Sequence, residues 1–346
     1  MAEICSARSP VRLGRMTTEF LLVMLVPSLT LGTLVLCDSD VADGLLTLPP
    51  AQSARTSDPI TDAVRIGDDQ VLTTHLMGHM RLWRFPQGTP LGDMQSHVAP
   101  VSCVAYSARQ QLLAVGSKTG QLEIWTLDGS DHPLVTADTD LEHFYDCQFT
   151  PDGLTLMTCG ENGQLIEWDS LTLTRRRTWP SEGSNEATRA LAISADGKRM
   201  LAGKFGGFVQ VWDLERGQKL RSHQIALPEI LGDACVDSVS FISQDQEFVA
   251  TTRSQGAGVW NVETGALIRP FAGIFKHVKN GTLSPDGRRF VAGTMDGELI
   301  TWDTASGTMM GPVKQLQTTA KCLLYSADSS TLLTGDWVGQ VLFHRD

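Results

Sequence analysis

Basic charge is in short supply. The 346 residues carry 28 Lys+Arg against 39 Asp+Glu, a formal net charge of −11. That excludes a general nucleic-acid binder, whose surface must displace counterions from phosphates. Arg175-Arg176-Arg177 is the clearest local basic run, and it is expected to lie on an exposed outer strand rather than at a phosphate site. The seven cysteines include no Cys-x-x-Cys pair, so neither a zinc site nor a full disulfide framework is indicated. Cys103 and Cys322 hold the same place in their repeats and are expected in the core. Gly-x-x-x-x-Gly-Lys-[Ser/Thr], Gly-x-Gly-x-x-Gly, His-Glu-x-x-His and Gly-x-Ser-x-Gly are all missing, and with them the loops that cradle phosphate, hold zinc or raise a nucleophile. The eight histidines show no metal-ligand spacing. No cofactor, no metal and no catalytic residue are expected.

One long apolar run is present. Residues 20–37, FLLVMLVPSLTLGTLVLC, contain no charge and as a helix would reach roughly 27 Å, just short of a bilayer core of about 30 Å. Arg8, Arg12 and Arg15 precede it and Asp38, Asp40 and Asp43 follow. This asymmetry orients a signal anchor with the chain's bulk on the non-cytoplasmic side. Pro27 and Gly32 leave open a cleaved signal peptide, hence export. A lipoprotein signal at Cys37 would want a smaller residue than Leu36 before it. A buried segment, or an extension ahead of a start at Met16, would leave the protein cytoplasmic. The organisation read from the sequence is a basic tail at 1–19, a signal-anchor segment at 20–37 and one repeat domain over 44–346.

Tryptophan recurs through that domain at Trp83, Trp125, Trp168, Trp212, Trp260 and Trp302, with His344 in the seventh slot. The spacing is 42 to 48 residues, the period of four-stranded propeller blades. Each unit opens on an apolar strand and a turn such as Ser194-Ala195-Asp196-Gly197 or Ser284-Pro285-Asp286-Gly287, whose residues suit a tight hairpin. A second strand carries a small residue at Gly116, Cys159, Gly203 or Gly293, where neighbouring blades should approach closely. The third strand alternates, as in Gln121-Leu122-Glu123-Ile124-Trp125, and ends on the Trp. Asp152, Asp196 and Asp286 each fall in the same turn and read as turn formers. Lys118-Thr119-Gly120 echoes a motif of serine β-lactam enzymes but occupies the repeat's second turn.

At these residues, and through Trp168-Asp169, Trp212-Asp213 and Trp302-Asp303, the chain resembles the WD-repeat β-propeller family from about residue 44 onward. The resemblance implies an all-β, seven-bladed propeller that binds other proteins. The chain departs from the family pattern where a histidine and an aspartate usually stiffen each blade. Asp296 alone fills the aspartate slot, against Thr119, Asn162, Gly206 and Val338, and His97 and His143 are nearest to the histidine. Stability is therefore expected to come from apolar packing between blades. Residues 44–49, Gly-Leu-Leu-Thr-Leu-Pro, are expected to close the ring as the last blade's missing fourth strand.

The expected function is a non-catalytic scaffold presenting its channel face to a protein or peptide, with a membrane contact through the N-terminal segment. An enzyme or small-ligand sensor at the channel mouth is the alternative, since fold does not dictate function. The second turns should place Lys118, Glu161, Lys204, Phe205, Arg253, Met295, Asp336 and Trp337 on that face, and the inner strand starts should add Asp146, Arg189 and Lys321. Trp337 is the expected anchor.

Overall fold

The computed structural model describes residues 58–179, 186–226, 234–254, 256–273 and 277–345. They form seven antiparallel sheets, six of four strands and a last one of three. Strands are numbered β1 (Ile60–Ile66) to β27 (Val341–Arg345) in chain order. The first strands of successive sheets are β1, β5 (Val101–Ser107), β9 (Phe144–Phe149), β13 (Thr188–Ile193), β17 (Val236–Ile242), β21 (Val278–Leu283) and β25 (Ala320–Tyr325). Each lies beside the next, and β25 lies beside β1. The result is a closed seven-bladed propeller. The expected segments at 20–37 and 44–49 fall outside the described residues. Among the described residues, no helix is long and apolar enough to cross a membrane.

Burial follows from sheets stacked face to face around the ring. The second strands are covered on both faces, as in Leu112–Ser117 and Thr331–Asp336, where every residue is buried. The outer strands face water: Arg175, Arg176 and Arg177 are exposed on β12 (Arg175–Trp179). The run thus lies on an exposed outer strand as expected, and its arginines meet Asp140, Asp169 and Glu167 respectively.

The core is divided into seven clusters, and each is shared by two neighbouring blades. One joins Cys103, Leu122 and Ile124 to Phe144, Leu156 and Trp168. The seventh joins Ile60, Trp83 and Phe85 of the first blade to Cys322 and Leu333 of the last. The expected close approaches hold at these seams. A Cβ on Gly203 would stand 2.8 Å from Val236 Cγ1 of the next blade, and one on Gly335 would stand 2.7 Å from Ile60 Cγ2. Cys103, Cys147, Cys159, Cys235 and Cys322 are buried free thiols.

The blade-stiffening network is replaced rather than lost. Trp83 and Trp168 donate their indole N–H to Thr73 and Thr158 on the adjoining strand, at 2.9 and 2.8 Å. His344 Nε2 shares a hydrogen bond with the Thr334 hydroxyl at 3.0 Å, so the histidine does occupy a tryptophan seat. Burial there lowers its pKa to about 4. Trp125 instead donates to Glu123, Trp212 to Gln210 and Trp302 to the Ala272 carbonyl. Ser194, Ser284 and Ser326 hold Asp196, Asp286 and Asp328 in their turns, as the turn sequences required.

Candidate functional site at the channel mouth

Every first strand slips register by a residue near its start. Thr61, Ser102, Tyr145, Arg189, Asp237 and Lys321 are the extra residues, and Lys279 lies in the longer slip between Val278 and Gly281. A bulge re-aims the side chain it leaves unpaired. All seven line one central channel of about 900 Å³. The bulges therefore arrange a ring of side chains around the axis.

The ring is polarised. Arg253 clamps Asp237 through Nε and through Nη2, the latter at 2.9 Å, and Arg189 Nε lies 3.9 Å from the same carboxylate. The Arg189 guanidinium also sits 4.3 Å from the Tyr145 ring, and the Tyr145 hydroxyl donates to Glu161. Burial, then that bond, pushes the Tyr145 hydroxyl up to about 12. Lys279, Lys321 and Lys118 line the same channel with Trp337. Lys321 Nζ is 4.3 Å and Lys118 Nζ 5.9 Å from the Trp337 ring centre. Burial, with Lys279 and Lys118 nearby, lowers the Lys321 pKa to about 8.

Below the mouth, polar side chains tie one first strand to the next. Asp62 accepts from the Val104 N–H at 3.0 Å, and Asp146 accepts from the Leu191 N–H at 2.8 Å. Asn280 donates to the Ala320 and Lys321 carbonyls. Burial raises the Asp62 pKa to about 6 and that of Asp146 to about 7, with the Asp62 charge adding to the second. Between pH 3.8 and about 6 both carboxyls therefore hold protons in the folded state that the unfolded chain has released. Their contribution to stability is complete below pH 3.8 and is lost as pH rises through about 6 and about 7. Asp146→Asn, which keeps an acceptor for Leu191, should flatten that decline. Urea midpoints at pH 5 and pH 8 should differ less in the variant than in the wild type.

Of the residues expected on this face, Lys118, Asp146, Arg189, Lys321 and Trp337 line the channel together. Glu161 and Arg253 reach it through Tyr145 and Asp237. Met295 and Phe205 are exposed but do not line it. Lys204 is buried at the end of β14 (Arg199–Lys204). Asp336 is buried too, and its carboxylate accepts the Val338 and Gln340 N–H groups of its own turn. Asp62, Tyr145, Asp237, Lys279 and Asn280 were not anticipated. Their signal is a shared position one or two residues into each first strand, visible once the repeats are laid over one another. Among the described residues, no three His, Cys, Asp or Glu side chains are grouped to hold a metal ion.

Comparison with known proteins agrees with the geometry. The family described as WD domain, G-beta repeat matches residues 88–126. The chain is 23% identical over 240 residues to periodic tryptophan protein 2 of Arabidopsis thaliana, covering 68% of this chain and 25% of that protein. It is 23% identical over 254 residues to apoptotic protease-activating factor 1 of Rattus norvegicus, covering 72% and 18%. Angio-associated migratory cell protein of Homo sapiens is 24% identical over 271 residues, covering 73% and 59%. The chain thus spans a quarter or less of the first two proteins.

Proposed function

Because the chain is a seven-bladed WD-repeat β-propeller, we propose that it is a non-catalytic scaffold whose channel mouth receives a protein or peptide partner. The observation that carries this reading is Trp337. The residue is 45% exposed at the mouth, with Lys321 and Lys118 beside its ring. An exposed tryptophan flanked by cations has the composition of a residue that dominates binding energy. The raised carboxyls of Asp62 and Asp146 do not build a catalytic pair on this reading, since each is engaged by a neighbouring strand's N–H.

The same proposal keeps the membrane tether. Its support is the charge-free run at 20–37 between Arg8, Arg12, Arg15 and Asp38, Asp40, Asp43, which would hold the propeller on the non-cytoplasmic side. One experiment addresses both parts. Affinity capture of the full chain from washed membranes is compared between wild type and Trp337→Ala. Loss of an anchor of this kind weakens a complex by about 2 kcal/mol or more, roughly thirtyfold, so the variant should lose the specific partners. Identical partner sets would sink the channel-face assignment. Recovery of the chain in the soluble fraction alone would sink the tether.

A further inference from the structure

Three lysines from separate parts of the chain meet at the mouth. Lys118 follows β6 (Leu112–Ser117), Lys279 lies in the slip of β21 and Lys321 in that of β25. All three line the channel beside Trp337. The charges of Lys279 and Lys118 disfavour the charge on Lys321. Burial lowers the pKa of Lys279 and Lys321.

The chain has carboxylates to spare, 39 against 28 basic residues. On the outside they are used: Arg81 pairs with Asp93, Arg175 with Asp140 and Arg176 with Asp169. Yet among the described residues none of the three mouth lysines pairs with a carboxylate. Asp237, which acts electrostatically on both Lys279 and Lys321, is already held by Arg253. Arg189 adds an unsatisfied donor, since its buried Nε has no hydrogen-bond partner. Half-buried like charges gathered without ion-pair partners of their own are unfavourable in the free protein and are relieved by an anion.

We propose that the mouth receives an acidic segment of a partner protein, whose carboxylates engage Lys279, Lys321 and Lys118 while its chain lies against Trp337. This rests on the channel-face reading above and names the chemistry of the ligand. The channel's volume of about 900 Å³ suits a few side chains of an extended peptide. The chain's overall charge of −11 opposes a longer polyanion such as nucleic acid, which would contact more of the protein than the mouth alone.

Fluorescence anisotropy with the full chain and a labelled oligoglutamate peptide tests the proposal. Oligoglutamine and an oligothymidylate of equal length serve as comparisons. Oligoglutamate should bind, and should weaken as salt rises from about 0.01 M to 0.15 M, where screening shortens to about 8 Å. The Lys279→Gln, Lys321→Gln double variant should bind at least about tenfold more weakly, and Lys321→Arg close to normally. Lys314→Gln, on an exposed outer strand, should change nothing. Thermal unfolding of each variant verifies that it is folded. Equal binding of oligoglutamine, tighter binding of the oligothymidylate, or an unchanged Kd in the double variant would overturn the proposal. If oligoglutamate fails to bind while Trp337→Ala still loses captured partners, the acidic ligand falls and the channel face stands.

Discussion

Glu123→Ala should lower the free energy of unfolding by about 3 kcal/mol or more. Its side chain is completely buried in β7 (Gln121–Thr126). Oε2 accepts from the Ser96 hydroxyl at 2.7 Å and from the Trp125 indole at 2.9 Å, while Oε1 accepts from the His97 N–H at 3.1 Å. Ser96 and His97 belong to the link between the first blade and the second, so one carboxyl binds that link to the second blade's Trp strand. Alanine removes all three acceptances at once. The Ser96 and Trp125 donors are buried, and each buried donor left without a partner costs about 1–3 kcal/mol. Glu123→Gln keeps an acceptor oxygen for one or two donors and should recover part of the loss. Urea midpoints measure the size, and amide exchange should locate it in β5–β7 (Val101–Thr126). A midpoint shift below that of an average surface substitution would mean the cluster is dispensable.

The same residue shows where sequence reading stops. In Gln121-Leu122-Glu123-Ile124-Trp125 the alternation is plain, and Glu123 falls on the face that a two-residue period assigns to polar groups. Both faces of a blade are covered by its neighbours, so that period distinguishes two buried surfaces, and only tertiary contact says that Ser96 and Trp125 complete the carboxyl. Blade number, by contrast, was legible because the Trp spacing is long-range and survives substitution, down to His344 in the seventh seat. The close approaches at Gly203 and Gly293 were legible from small residues aligned between repeats. The channel ring was only half legible. A bulge is a slip of one residue, and a slip exchanges the faces of everything beside it. Read as regular strand, Asp237 and Lys279 have no reason to point at the axis. Lys204 illustrates the converse error: its position in the repeat suggested the exposed face, but desolvation lowers its pKa in a buried site.

Phe85→Ala should cost about 3–5 kcal/mol, the range for emptying a buried aromatic site, and should do so at one seam. Phe85 is wholly buried where the first blade meets the last. Its ring lies 5.8 Å from that of Phe343 on β27, and Trp83 approaches Phe343 at 6.1 Å edge-on. Among the described residues the last sheet has three strands, so these aromatics, Ile60 against Gly335, and Cys322 and Leu333 carry the closure seen there. The other six seams each have a cluster of their own. Damage at the seventh should therefore loosen β1 and β25–β27 before it loosens β13 to β16 (Thr188–Gln224) across the ring. Stability in a repeat array is approximately a sum over neighbouring interfaces, and a ring that loses one interface becomes an open arc with two exposed ends. Amide exchange in Phe85→Ala should rise first in β1 and β25–β27. A double-mutant cycle with Phe343→Ala should show coupling of about 0.5–1.5 kcal/mol, the value for an aromatic pair beyond area alone. Uniform exchange around the ring, with no coupling between the two phenylalanines, would place the closing force elsewhere than in this aromatic seam.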